Sequence, residues 1–460
     1  MKFCLENINT YTIRPFSKII IFADYVILSS LLLSRVHSCH PERSEGTESN
    51  KLNKHTMEKK LYPLKFVSIA SRRPWGGSAL VKTLGKHFVE CDEEGNETVL
   101  GEDVLIGESW ELADMGIEDS VVENGWLAGN TIGEVMETYL ERIVGEKVYN
   151  YYGRQFPLLI KFLDINDKLS VQVHPDDAIA AERYDQLGKA EIWYVMDAKP
   201  GAVVYAGFNR EVSAQEFYDR CKNGTVGEIM NEIHPKPGDS IYVTPGTVHA
   251  ADGGLLIAEI QESSDMTFRL YDWGREFNPA TARKLHLEEA IDIIDYNAFN
   301  PELYKKGPLW GESDHQHTVE TLVESPEFNV AKLNLTDPLH IYTEKFESFI
   351  IYICTEGAAS VQVPSVNEKG EECMDTYEIL KGETILIPAE LPDFYLVPRD
   401  RETVLLEAVT RPVDMLDEYI DPTTEAFLEN EDYEGVEDEG DDDDEFGDTP
   451  AGASPLNFFN

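Results

Sequence analysis

The chain has 460 residues, enough for two or three domains around a sizeable core. Its 86 acidic side chains against 39 Lys and Arg give a formal charge of −47. Phosphate backbones and anionic lipid surfaces need a basic face, so neither nucleic acid nor membrane is expected as a partner. An anionic small molecule is still admissible where a few Lys and Arg converge.

Residues 1–56 differ from the rest of the chain. Positions 19–33 are apolar apart from Asp24 and two serines, too short for a membrane span and without a clean cleavage site. His40-Pro41-Glu42-Arg43-Ser44-Glu45-Gly46 reads as translated intergenic repeat, and Met57-Glu58-Lys59-Lys60 as an ordinary start. A spurious leader over 1–56 is expected, with a signal anchor as the alternative. From Met57 onward, 131–149 carries Ile132, Val135, Met136, Tyr139, Leu140 and Ile143 near helical spacing. Short apolar runs at 158–163, 169–173, 192–196, 202–205, 240–243, 255–260 and 268–271 read as strands of an antiparallel sandwich or barrel. Ser213, with Glu216 three residues on, opens a helix through Phe217 and Cys221, and a further helix is expected over 287–294. After Arg411 there is no Lys or Arg, and the acids that crowd 438–445 predict a disordered tail over 416–460. The scattered Cys4, Cys39, Cys91, Cys221, Cys354 and Cys373 have no paired spacing, which fits the reduced thiols of a cytoplasmic protein.

The chemistry concentrates in three stretches. Successive strand side chains alternate faces, so Ser170, Gln172 and His174 point one way while Val171 and Val173 point into apolar packing. The same period sets Lys189 and Glu191 on one face of the next strand. With His249 after the Pro245-Gly246 turn, two imidazoles, one carboxylate and one amide can meet inside a barrel, a set suited to a divalent metal. Singly, each residue has a plainer explanation. A buried His is most often a hydrogen-bonded core residue, Glu191 alone a solvated strand carboxylate, and Arg269 a salt-bridge partner for Asp265 or Asp272. His234, His286, His315, His317 and His340 have no supporting pattern, and Trp75 and Trp110 are expected in packing.

A faint internal repeat is also present. Gly238-Asp239-Ser240-Ile241-Tyr242-Val243-Thr244-Pro245 is echoed by Gly382-Glu383-Thr384-Ile385-Leu386-Ile387-Pro388, and 191–202 corresponds loosely to 347–358. No His follows Pro388 as His249 follows Pro245. Two related barrels are expected, one equipped for chemistry and one structural.

The stretch from Gly238 to His249 resembles a cupin signature. With Ser170-Val171-Gln172-Val173-His174-Pro175-Asp176, Lys189-Ala190-Glu191-Ile192-Trp193-Tyr194 and Glu259-Ile260-Gln261-Glu262-Ser263-Ser264-Asp265-Met266-Thr267-Phe268-Arg269-Leu270-Tyr271-Asp272, the chain resembles type I mannose-6-phosphate isomerases of the short bacterial form. The resemblance covers about 61–295, with a weaker continuation to about 412. It implies a mainly β fold of two cupin-type jelly-roll barrels with helical insertions, the second without metal ligands. Its domains would be 57–300, catalytic, and 301–415, degenerate. It implies one Zn2+ per chain, other divalent metals being admissible, held by Gln172, His174, Glu191 and His249. Arg269, Lys189 and Glu259 would be catalytic, and Lys161 and Ser170 would line the pocket on the phosphate side.

The implied reaction interconverts mannose 6-phosphate and fructose 6-phosphate through an enediol. Lys189 is expected to have a depressed pKa, and Glu259 a raised one through partial burial. Lys189, Glu259 and a metal-bound water remain alternatives for the base. A cupin of other activity, such as another sugar-phosphate isomerase or an iron oxygenase, and a non-enzymatic sugar-binding barrel are the competing readings. The Gln in the ligand set, together with Lys189 and Arg269, favours an anionic substrate over oxygen chemistry. The expected partner is a small sugar phosphate, and the expected oligomeric state is a monomer.

Overall fold

The structure, a computed structural model, describes residues 59–91, 97–116, 118–280, 282–300, 318–367 and 369–410. The leader, the acidic tail and the His315–His317 pair lie outside the described residues. Among the described residues, strands dominate and no helix is long and apolar enough to cross a membrane.

Four sheets carry the fold. One orders the strands Ile69–Ser71, Glu108–Leu112, Leu158–Ile165, Leu255–Glu262, Glu191–Ala198 and Ser240–Val243. A second orders Phe268–Tyr271, Val171–Val173, His249–Asp252, Val203–Phe208 and Met230–Ile233. Side-chain alternation decides which face meets what. Leu163, Trp193, Val195 and Ile257 pack against Val204, Ala206 and Ala251 of the second sheet. On the other face, Ile160, Phe162, Ile192, Tyr194, Ala258 and Ile260 meet Ile351, Ile353, Leu406 and Ala408. Both faces of the first sheet are therefore covered, and every side chain of Leu158–Ile165 and Leu255–Glu262 is buried. Polar groups on these strands can persist there only if they are paired or functional.

The partner surface belongs to a third sheet, ordered Thr318–Glu324, Asn329–Leu335, Thr403–Val409, Ile350–Glu356 and Thr384–Ile387. A fourth, with Leu339–Tyr342, Asp393–Pro398, Ala358–Val366 and Glu372–Leu380, closes over its far side around Tyr352, Val361, Phe394 and Leu396. The Gly-turn-strand repeat has a counterpart in register, whereas the expected match of 191–202 with 347–358 is displaced by three residues. Val243 pairs with Glu191, and Ile387 with Ile350. Glu259 lies opposite Trp193, and Glu407 opposite Tyr352.

The expected strands are present, most with ends moved by one to three residues. The helical expectations need correction. The 131–149 segment is three short helices, Ile132–Tyr139, Glu141–Val144 and Glu146–Tyr152. Leu140 and Gly145 interrupt it at φ of 50° and 93°. The break at Gly145 brings the chain so close to 347–348 that a Cβ would lie 2.7 Å from Glu347 O. It also frees Val144 O to accept from Phe349 N–H. The 287–294 segment is a series of turns. Leu287, Ala290, Ile293 and Ile294 bury their side chains, while Asp295 N–H ties the segment to Gly246 O beside His249. The helix opening at Ser213 is present over Ala214–Asn223, with Ser213 Oγ accepting from Glu216 N–H.

Candidate metal centre and cavity

Backbone pairing assembles the site. Gln172 is the direct cross-strand neighbour of His249 on one side and of Arg269 on the other. Glu191 opens its strand opposite Val243 and Gln261, on the face that looks toward the second sheet. His174, one residue past the Val171–Val173 strand, completes the group. His174, Glu191 and His249 are the cluster of three potential metal-ligating side chains among the described residues, their ligand atoms within 4.8 Å of one another. Gln172 Nε2 is 3.1 Å from His249 Nε2, and Ser170 Oγ donates to Gln172 Oε1 at 3.4 Å.

The donor chemistry fits a divalent cation. His174 Nδ1 is 2.9 Å from Met266 O and His249 Nδ1 is 3.0 Å from Thr247 O. A carbonyl only accepts, so each Nδ1 carries a proton and Nε2 is the nitrogen that faces the cluster. Those nitrogens lie 3.5 Å and 3.1 Å from the two Glu191 oxygens. Both oxygens lie outside any hydrogen bond of ordinary geometry, with the Lys189 ammonium 3.1 Å from Oε2, and a shared cation would complete the arrangement. Burial, then the neighbouring Lys189 charge, pushes His174 down to about 3, so it is neutral. Burial alone would raise Glu191, but the Lys189 ammonium holds it well below the carboxylate range. A neutral imidazole and an ionised carboxylate are the states a metal needs.

Next to this group is a cavity of about 380 Å³ whose wall includes Lys161, Ser170, Gln172, Lys189, Glu259 and Arg269. All five residues expected to be catalytic or substrate-binding thus face one space. Lys189 Nζ lies 3.1 Å from Glu191 Oε2 and 3.2 Å from His174 Nε2. The expected depression of its pKa is corrected. Burial does act to lower it, but the carboxylates of Glu191, Glu259 and Asp265 outweigh burial and raise it. Glu259 behaves as expected: burial first, then Glu191, raises its carboxyl. Trp193 Nε1 donates to Glu259 Oε1 at 2.9 Å, and Lys161 Nζ is 3.6 Å from Oε2.

Arg269 is not the salt-bridge partner of Asp272, whose carboxylate is taken by Arg275 and Arg283. Arg269 Nη1 donates to Lys284 O, and its Nε is buried without a partner. Burial, then the nearby Arg283, lowers it to about 10, still protonated at neutral pH.

Several wall residues lie beyond the sequence expectations. Arg73 grips Glu108 through Nε at 2.8 Å and Nη2 at 3.1 Å, and Trp110 Nε1 donates to the same carboxylate. Burial opposes ionisation of Glu108, yet Lys161 and Arg73 hold it at about 2. Arg283 and His286 also reach the wall, and His286 Nδ1 accepts from Arg269 N–H. Strand period alone would have placed Trp193 beside Glu191. Nothing local marks Arg283 or His286, which arrive on an irregular segment. A larger, open cleft of about 600 Å³ lies beside Asp114, Asp119, Glu134 and Glu137; its acidity disfavours an anionic ligand.

Comparison with known proteins converges on one family. Residues 64–211 match the catalytic domain of phosphomannose isomerase type I. Mannose-6-phosphate isomerase ManA of Bacillus subtilis is 32% identical over 335 residues, 73% of this chain and 95% of that one. The mannose-6-phosphate isomerase of Streptococcus mutans is 31% identical over 71% of this chain and 92% of its own. The crystal structure of the mannose 6-phosphate isomerase from Bacillus subtilis superposes with a TM-score of 0.62 at 28% identity, covering 75% of this chain and 99% of that one. With that coverage, and with the cluster and cavity in one fold, the chain belongs to the type I phosphomannose isomerase family and is an isomerase.

Proposed function

We propose that this enzyme interconverts mannose 6-phosphate and fructose 6-phosphate through an enediol, with one divalent metal, zinc by expectation, held by Gln172, His174, Glu191 and His249. The observation that carries the reading is the buried Glu191 carboxylate between the Nε2 atoms of His174 and His249, beside a cavity lined by Lys189, Glu259 and Arg269. A cation bound there supplies Lewis-acid stabilisation of negative charge developing on the sugar oxygens. The rest falls to side chains. Glu259, whose raised pKa makes it the better base, takes the proton from C2 of the aldose and returns it to C1. The Lys189 ammonium, charged beside Glu191, donates hydrogen bonds to the oxygens that gain charge. Arg269 offers its unused Nε–H to the phosphate or the enediolate oxygen, and Lys161 and Ser170 line the phosphate side.

On this reading the first two sheets are a catalytic cupin barrel within 57–300. The other two, within 301–415, form a barrel without metal ligands, in which Ile350 stands at the register position of Glu191. A monomer in the cytoplasm is the expected setting; the free thiols Cys221 and Cys354 are buried, as suits a reducing compartment. Turnover in D₂O tests the mechanism. An enediol exchanges its proton with solvent and leaves deuterium at C1 of fructose 6-phosphate. A direct hydride shift leaves none however long the reaction runs, and product still free of deuterium after many forward and reverse turnovers contradicts the base-catalysed route.

A further inference from the structure

The backbone that carries Lys189 is held at three successive amides. Gly188 N–H donates to Asp177 Oδ1 at 2.7 Å. Lys189 N–H donates to Pro175 O at 3.0 Å. Ala190 N–H donates to Glu262 Oε2 at 2.7 Å. Gly188 sits so close to the start of the Asp177–Tyr184 helix that a Cβ would lie 2.6 Å from Asp177 N. Glu262 is 1% exposed at the end of the Leu255–Glu262 strand, and its own N–H donates to Ala190 O. On its strand it falls in step with Ala258 and Ile260, on the face turned away from the cavity, so it cannot touch a substrate there.

The second oxygen of this carboxyl, Oε1, is buried with no hydrogen-bond partner of ordinary geometry. The charges bearing on it are those of Asp177 and Glu327. Burial first, then these carboxylates, holds Glu262 well above the usual carboxylate range. The neutral acid favoured by this setting still accepts from Ala190 N–H through Oε2.

We propose that Asp177 and Glu262, holding the amides of Gly188 and Ala190 on either side of Lys189, form a clamp that positions Lys189 in the active site. This inference rests on the role given to Lys189 above. Glu262 and Asp177 are positioning residues, acting through the backbone of a side chain whose amine must stay within hydrogen-bond reach of developing charge. Misplacement by about 1 Å at such a point can cost on the order of a hundredfold in rate.

The test uses the full chain loaded with zinc, after confirming that the wild type converts mannose 6-phosphate. Failure of the wild type would contradict the proposed function itself, whatever the variants do. Glu262→Gln keeps an acceptor for Ala190 N–H, so its kcat is expected within about twofold of wild type. Glu262→Leu removes that acceptor and is expected to lower kcat about tenfold or more. KM and zinc content should change less than about twofold, because the metal ligands stay in place. In a Lys189→Met background, Glu262→Leu should cost less than about twofold further, as residues acting as one unit are non-additive. Unchanged kcat in Glu262→Leu, or losses that multiply in the double variant, would overturn the clamp. Zinc loss in parallel with kcat would place the effect at Glu191 and overturn it equally. If Glu262→Leu does not fold, Asp177→Ala decides: lowered kcat with retained zinc supports the clamp, and unchanged kcat refutes it.

Discussion

Lys189 Nζ stands 3.1 Å from Glu191 Oε2, with both side chains almost fully buried. The contact makes the lysine a fixed cation beside the candidate metal ligands. Lys189→Met should therefore lower kcat by about 10²–10³, the loss seen when one preorganised donor is removed from a charged transition state. Zinc content should stay near one per chain, since no ligand is removed. Steady-state kinetics with metal analysis on the same sample checks both.

Arg269 carries a buried Nε with no partner, on a strand that also pairs with Gln172. Arg269→Lys preserves charge but not the planar fork, so kcat/KM should fall about a hundredfold. A lysine variant with near wild-type kcat/KM would show that only charge is used there.

His249 is fully buried, and its Nδ1 is fixed by Thr247 O. Zinc bound only by the folded state stabilises it by about 2.7 kcal/mol at a hundredfold excess over the dissociation constant. Chelation should lower the melting temperature of the wild type by a few degrees. His249→Ala should melt at one temperature with or without chelator.

Asp114 gives a pH signature unconnected with catalysis. Burial, opposed by the hydrogen bond from Phe156 N–H, raises it from 3.8 to about 6. A carboxyl raised on folding binds its proton more tightly in the folded state. Its contribution is therefore favourable below the unfolded pKa near 3.8, and is lost as pH rises through about 6. Discounted for partial exposure, the ionised group costs about 1–2 kcal/mol at pH 7. Asp114→Asn should be more stable than wild type by that amount at about pH 7 and indistinguishable near pH 4, by urea denaturation.

Tyr352 OH donates to Glu407 Oε2 at 2.7 Å, in register with the Trp193–Glu259 pair. If the second sheet pair is structural, Tyr352→Phe lowers stability by about 1–3 kcal/mol and leaves kcat unchanged. A lowered kcat in a stable variant would give that half a part in catalysis.

The legible part of the site comes from period and spacing. Alternation along 170–174 and 189–191 places Gln172, His174, Lys189 and Glu191 on one side, and their strands do bring them together. The repeated Gly-turn-strand units emerge as matching edge strands, Ser240–Val243 and Thr384–Ile387. Helix ends at 131–149 are not legible, because Gly145 is set by contact with residues two hundred positions away. The charge state of Lys189 departs from expectation for a similar reason. Burial can be guessed from a strand pattern, but three carboxylates converging on one amine cannot. Arg73, Arg283 and His286 come from loops, where no period announces which way a side chain turns.

The most direct test of the central claim is a coupled assay of mannose 6-phosphate conversion, run on the protein as isolated, after chelation, and after zinc is restored. Fructose 6-phosphate should form, cease to form, and form again in that order. Undiminished turnover after verified removal of metal would contradict a catalytic metal at His174, Glu191 and His249. No turnover by fully zinc-loaded protein would contradict the substrate assignment.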